Sequence, residues 1–138
     1  MSTVDANAWI ASFDPTDVFH VPSTELFRRA VRRGLMLHCP AFVIVEVAGA
    51  LARRLRDRGA GLQAAADIRA HPLVRLHPLD QPLIDEALRL STQQFLRGAD
   101  ALYAATASLT GTDLISWDGE LIRRAGAVSP ADWLAANP

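Results

Sequence analysis

Short apolar runs alternate along the whole chain with longer segments of helical periodicity, and this alternation limits the fold more than any other feature. Strands separated by helices favour a parallel sheet, because each parallel connection needs a crossover of about a dozen residues or more. The predicted strands are residues 2–5, 35–38, 74–79, 113–116 and 127–128. We therefore predict an α/β fold with a mostly parallel central sheet flanked by helices on both faces.

Glycine, proline and capping residues mark the ends of the predicted helices. Ser23 and Asp80 are expected N-caps, Gly34 an expected C-terminal stop, and Ser129-Pro130 an N-cap followed by proline at the first helical position. The predicted helices are residues 6–11, 24–33, 41–56, 61–70, 81–96, 100–110, 120–125 and a last helix starting at 130. No linker or repeat divides them, so residues 1–138 are expected to form a single domain.

Composition excludes several classes of protein. The single cysteine, Cys39, cannot form an intramolecular disulfide, and no apolar stretch approaches the roughly 20 residues of a membrane-spanning helix. The chain also opens without a signal-peptide pattern, so we expect a cytoplasmic protein with no membrane association. Its net charge is −1 and all 14 basic residues are arginine, most of which we expect to solvate helix faces.

Four carboxylates lie in apolar surroundings. Asp5 and Asp118 follow predicted strands, Asp100 opens a predicted helix, and Glu46 lies in the helical segment Phe42-Val43-Ile44-Val45-Glu46-Val47-Ala48. Taken singly, each has an ordinary structural interpretation: a strand-end cap for Asp5, a turn for Asp118, an N-cap for Asp100 and a surface charge for Glu46. Strand ends of a parallel sheet share one edge, however, and clustered carboxylates repel unless a cation joins them.

An all-oxygen ligand set selects hard cations, so the expected metal is Mg²⁺ or Mn²⁺. We expect Asp5, Glu46 and Asp100 to bind it directly, and Asp118 to bind a second ion directly or through water. Ser116 and Asn7 are predicted to orient these ligands, although a local turn hydrogen bond explains Asn7 equally well. The histidines are not spaced as a zinc pair on a helix and are expected on the surface or in strands.

Four strings of residues resemble the acidic motifs of PIN domains in their order along the chain. They are Val4-Asp5-Ala6-Asn7-Ala8-Trp9-Ile10, Val45-Glu46-Val47 followed by Ala50-Leu51, residues 99–107 around Asp100, and Leu114-Ile115-Ser116-Trp117-Asp118. PIN domains of this size are similar to the VapC toxins of toxin–antitoxin pairs. The resemblance implies a Mg²⁺-dependent ribonuclease with an RNA substrate, a cognate antitoxin and a homodimer. Residues 14–22 are less typical, and Trp117 fills a variable position.

Two other functions compete with the ribonuclease. One is a PIN-like scaffold that binds RNA or protein without cleavage. The presence of all four carboxylates is evidence against this scaffold. The other is a Mg²⁺-dependent phosphatase for small molecules, which would need an aspartate nucleophile in an Asp-x-Asp string. Asp5-Ala6-Asn7 lacks the second acid.

Overall fold

The computed structural model describes residues 1–138 and contains one four-stranded, fully parallel sheet. Its strands are β1 (Ser2–Val4), β2 (Leu37–Pro40), β3 (Val74–His77) and β4 (Asp113–Ile115), in the spatial order β3-β2-β1-β4. In register, Thr3 pairs with His38 and Leu114, and Val4 pairs with Ile115. The predicted α/β class and parallel sheet are confirmed.

Eight helices connect and cover the strands. They are α1 (Ala6–Phe13), α2 (His20–Arg33), α3 (Val43–Leu55), α4 (Arg58–Ala70), α5 (Gln81–Gln93), α6 (Gly98–Thr110), α7 (Gly119–Ala125) and α8 (Pro130–Ala136). Asp80 and Ser129 cap α5 and α8 as predicted, because their side chains accept hydrogen bonds from the backbone amides of Leu83 and Asp132. Gly34 ends α2 in the left-handed conformation, which glycine adopts without a Cβ clash.

The core joins the sheet to helices through small and aromatic side chains. Ala101, Ala104 and Ala105 of α6 are buried, and this helix lies against β1, β2 and β4. Trp9 of α1 stacks on Phe27 of α2 at 4.0 Å between ring centroids. Alanine lets α6 approach the sheet closely, and Asp100 in its first turn lies close enough to Asp5, which follows β1, for their charges to interact.

Several predicted boundaries were wrong. Ser23 is not an N-cap: α2 begins earlier, after Phe19, and the Ser23 side chain is buried within the helix. The predicted helix 81–96 ends earlier, at Gln93, before Phe95 adopts a positive φ of 55°, and the predicted helix 100–110 begins earlier, at Gly98. The predicted last strand is a single bridge between Ile115 and Val128.

No helix of the protein combines the length and the apolar character that a membrane-spanning helix needs.

Candidate functional site

The pairing of β1 with β4 brings Asp5 beside Ser116. The Asp5 amide donates to the Ile115 carbonyl at 3.0 Å, which extends the strand ladder by one residue. The Ser116 hydroxyl donates to Asp5 Oδ2 at 2.7 Å and accepts from Asn7 Nδ2 at 3.1 Å and the Asp118 amide at 2.9 Å. One buried hydroxyl, with one donor and two acceptor lone pairs, is therefore fully used in fixing the Asp5 carboxylate.

The Asp5 carboxylate is desolvated and lacks a compensating positive charge. Asp5 as a whole is only 5% exposed to solvent. Burial raises the pKa of Asp5 from 3.8 to about 7, the Ser116 hydrogen bond lowers it in part, and the charges of Glu46 and Asp100 raise it further. Since these charges act on one another through space, Asp5, Glu46 and Asp100 form one electrostatic group.

Glu46 extends from α3 into the same region and meets Tyr103 of α6. Burial and the charge of Asp100 raise the pKa of Glu46, while the nearby Tyr103 lowers it. No hydrogen bond of normal geometry joins the two side chains, and both Glu46 Oε1 and the Tyr103 hydroxyl are buried without a partner. Sequence reasoning missed Tyr103, whose only signal is a tyrosine three residues after Asp100, on the same face of α6.

Asp100 and Asp118 lie at the outer edge and share one cation. The Arg97 guanidinium donates from Nε to Asp100 Oδ2 at 3.0 Å and from Nη2 to Asp118 Oδ2 at 2.9 Å. Asp118 is also the N-cap of α7, because its Oδ1 accepts from the Glu120 amide at 2.7 Å. Arg97 was another residue that sequence reasoning did not single out.

Comparison with a family model identifies the protein family of this chain. The model of the PIN domain matches residues 3–127, which is most of the chain and includes all four carboxylates. The chain belongs to the PIN domain family. No sequence among the curated proteins matches this PIN domain significantly.

Solved structures agree with that assignment at the level of the fold. VapC20 from Mycobacterium tuberculosis, described as a sarcin-ricin loop cleaving toxin, is 24% identical with a TM-score of 0.78, over 93% of this chain and 97% of its own. A toxin–antitoxin complex from Klebsiella pneumoniae is 17% identical with a TM-score of 0.69, over 94% and 98% of the two chains. The FitAcB structure from Neisseria gonorrhoeae is 17% identical with a TM-score of 0.67, over 95% and 99%.

The side chains of this PIN domain fit a divalent cation in chemistry but do not yet surround one. No three of its Asp, Glu, His and Cys side chains are close enough together to hold a metal ion as they stand. The donor set is nevertheless all oxygen, and Glu46 Oε1 is a buried acceptor without a partner. Binding would require carboxylates to rotate towards a common ion, while Arg97 holds Oδ2 of Asp100. The metal itself and the predicted ligand roles therefore stay predictions.

Other reactive groups do not compete with the carboxylates. Cys39 is buried, donates to the Val4 carbonyl at 3.3 Å and accepts from Trp9 Nε1 at 3.4 Å, and burial raises the pKa of its thiol to about 12. Such a thiol is not a nucleophile. His38 and His77 lie on the neighbouring strands β2 and β3, and His38 Nδ1 lies 2.8 Å from His77 Nε2.

Proposed function

We propose that this PIN domain is a Mg²⁺- or Mn²⁺-dependent ribonuclease that hydrolyses RNA phosphodiester bonds and acts as the toxin of a type II toxin–antitoxin pair. The observation that carries the proposal is the buried Asp5 together with the half-buried Glu46, neither of which has a basic partner. A buried carboxylate with no counter-charge is costly unless it takes up a proton or a cation. Such a cost is typical of sites that bind a metal ion.

Each side chain has a definite part in the proposed reaction. Asp5, Glu46 and Asp100 would hold the cation, while Ser116, supported by Asn7, keeps the Asp5 carboxylate in one orientation. A bound divalent cation would lower the pKa of a water molecule and stabilise negative charge on the attacked phosphate. Asp118 remains on the outer side, where it would contribute to a second ion directly or through water.

The decisive experiment is cleavage of a pool of structured and single-stranded RNAs by the purified protein. Cleavage in Mg²⁺ or Mn²⁺ that stops in EDTA, and that is absent from the Asp5→Asn variant, is the expected result. Cleavage that persists in EDTA would indicate a contaminating or metal-independent nuclease. No cleavage of any RNA in either metal would remove the enzymatic proposal.

The toxin assignment is supported by two of the similar structures, one described as a toxin–antitoxin complex and the other as a sarcin-ricin loop cleaving toxin. We therefore propose a homodimer that binds a small antitoxin, whose acidic or arginine-bearing tail would lie near the carboxylates. Expression alone should arrest bacterial growth, and co-expression of the short reading frame beside the gene should relieve the arrest. Harmless expression of a protein that cuts RNA in vitro would keep the nuclease and reject the toxin.

One observation favours the second candidate, a scaffold that binds RNA or protein without cleavage. Arg97 already bridges Asp100 and Asp118, as an internal cation would in a site that has lost its metal. The scaffold would bind RNA equally in EDTA and Mn²⁺ and would not be stabilised by Mn²⁺. Thermal melts in matched Mn²⁺ and Na⁺ solutions therefore separate the two candidates.

A further inference from the structure

An open cavity of about 490 Å³ lies directly beside the carboxylates. Asn7 and Asp118 form one part of its wall, so the cavity borders the candidate site on the side of Asp118. The remainder is formed by the loop before α2, by Trp117 and by Arg54 of α3. Its volume lies within the range of about 300–1,000 Å³ that is usual for small-ligand sites.

Two stacked aromatic rings form the apolar part of this cavity. The rings of Phe19 and Trp117 are nearly parallel, with an interplanar angle of 10° and centroids 4.0 Å apart. Trp117 is fixed at two further points: its amide donates to Asn7 Oδ1 at 3.2 Å, and its indole N–H donates to the buried Ser23 Oγ at 2.8 Å. Phe19, whose ring stacks on Trp117, is still 40% exposed and therefore presents aromatic surface to solvent.

The loop that carries Phe19 is ordered by its own side chains. Asp14 Oδ1 accepts from the Thr16 amide at 3.0 Å and hydroxyl at 2.7 Å, and Asp17 Oδ1 accepts from the Phe19 amide at 2.8 Å. Arg54 Nη1 lies 3.5 Å from Asp14 Oδ2 and 2.8 Å from Asp17 Oδ2. Phe19 is therefore positioned before any ligand arrives, which reduces the entropy lost on binding.

The charges of the cavity exclude a phosphate group as its occupant. Arg54 is the only basic residue of the lining, and it is already paired with Asp14 and Asp17. Asp118 adds a further carboxylate to the wall. An anion would meet net negative charge here, whereas a neutral, flat, aromatic group would meet a ring face and polar acceptors.

We propose that this cavity holds one nucleobase of a single-stranded RNA, stacked on Phe19 and adjacent to the phosphate that is cleaved at the carboxylates. This inference rests on the proposed ribonuclease function and specifies where the enzyme binds one base of its RNA substrate. Proteins that recognise single-stranded RNA commonly splay bases out and stack them on aromatic side chains. Stacking accepts every base, so this contact sets the register of the strand more than its sequence.

The test measures binding separately from cleavage. A fluorescent single-stranded RNA is titrated in Mn²⁺ with the Asp5→Asn protein, alone and combined with Phe19→Leu, which keeps apolar cover but removes the ring face. We expect Phe19→Leu to weaken binding about ten-fold and Phe19→Tyr to restore it. The matched control is Leu109→Ala, which truncates an exposed apolar residue at the opposite end of α6 from Asp100 and should leave binding unchanged.

Abasic nucleotides, placed one at a time along the same RNA, locate the stacked base. One position should weaken binding to the Phe19 protein and have no further effect on the Phe19→Leu protein. If wild type cuts RNA and Phe19→Leu binds as tightly as its parent, the stacking site is wrong and the nuclease stands. If Phe19→Leu weakens binding but wild type never cuts, the stacking site stands and the nuclease is wrong. If no RNA binds, both are wrong.

Discussion

The inner and outer halves of the carboxylate site differ in how their negative charge is compensated. In the inner half, Asp5 and Glu46 are desolvated, have raised pKa values and lack any basic partner. In the outer half, Asp100 and Asp118 share Arg97, whose side chain is 70% exposed. The negative charge of the inner half can therefore be compensated only by a bound proton or metal ion, whereas Arg97 of the protein itself compensates the outer half.

This difference shows why burial distinguishes functional acids better than clustering does. Exposed ion pairs such as those of Arg97 contribute little to stability, because solvent screens them and the long side chain loses freedom. A desolvated carboxylate without a partner weakens the fold, so its presence is better explained by a ligand than by stability. The experiments below contrast the two halves, from the largest expected effect to the smallest.

Removing a proposed direct ligand of the cation should have the largest effect. We expect Asp5→Asn and Glu46→Gln to lower Mn²⁺-dependent RNA cleavage by more than about 100-fold, because direct metal ligands are harder to replace than their supporting residues. Asp100→Asn should match them, since all three are proposed to bind the cation. The measurement is initial cleavage rate, with far-UV circular dichroism to verify folding. Asp67→Asn, an exposed acid on α4, is the control, and full activity in any of the three variants removes that residue from the site.

The second effect concerns stability and its dependence on pH. Because folding raises the pKa of Asp5 from 3.8 to about 7, the folded state binds the proton more tightly, and this contribution to stability is lost as pH rises through about 7. In EDTA, Asp5→Asn should therefore melt several degrees above wild type at pH 8 and lose this advantage towards pH 4. Asp100→Asn, which breaks an ion pair with Arg97, should gain less.

In Mn²⁺, wild type should melt at a higher temperature than Asp5→Asn, the reverse of the order expected in EDTA. An ion at about 100 times its dissociation constant adds roughly 2.7 kcal/mol when it binds only the folded state. Asp5→Asn should gain much less from the same Mn²⁺, with Na⁺ at equal ionic strength as the reference. Equal responses of wild type to Mn²⁺ and Na⁺ would mean that the inner half binds no metal ion.

Arg97 tests the outer half. Its guanidinium occupies oxygens of Asp100 and Asp118 that the proposed metal would use, so Arg97→Ala should tighten Mn²⁺ binding several-fold in a Mn²⁺ titration followed by electron paramagnetic resonance. The Mn²⁺ affinity of Arg97→Lys should lie between those of wild type and Arg97→Ala. Arg89→Ala, which breaks the exposed Arg89–Glu86 pair on α5, is the matched control. Unchanged Mn²⁺ affinity in Arg97→Ala would show that the arginine does not compete for these carboxylates.

The smallest effect is expected at Asp118. Asparagine caps a helix about as well as aspartate, so Asp118→Asn should change the free energy of unfolding by no more than about 0.5 kcal/mol. Cleavage should fall less than in Asp5→Asn, because water readily replaces a ligand of a second ion. An inert Asp118→Asn protein would place Asp118 in direct contact with the catalytic ion, as proposed for Asp5, Glu46 and Asp100.

Local patterns were sufficient for the elements that short-range interactions control. The caps at Asp80 and Ser129 and the stop at Gly34 were predicted correctly, because each depends on a few neighbouring residues. The beginning of α2 was not, because the loop before it is also held by Arg54, which donates to Asp17 across 37 residues of sequence. The buried Ser23 was mistaken for a cap since its partner, the indole of Trp117, is 94 residues away in sequence.

The sequence by itself determined the parallel α/β architecture, the family, and the placement of Asp5 and Asp118 beyond neighbouring strand ends, because alternation and motif order are properties of the chain. Only the tertiary structure decided which charges are compensated. Arg97 reaches Asp118 across 21 residues, and Ser116 reaches Asp5 across 111. The burial that raises the pKa of Asp5, and the stacking of Phe19 on Trp117, likewise arise from segments that meet only after folding. Desolvation and contact depend on distance in space, which a one-dimensional pattern does not contain.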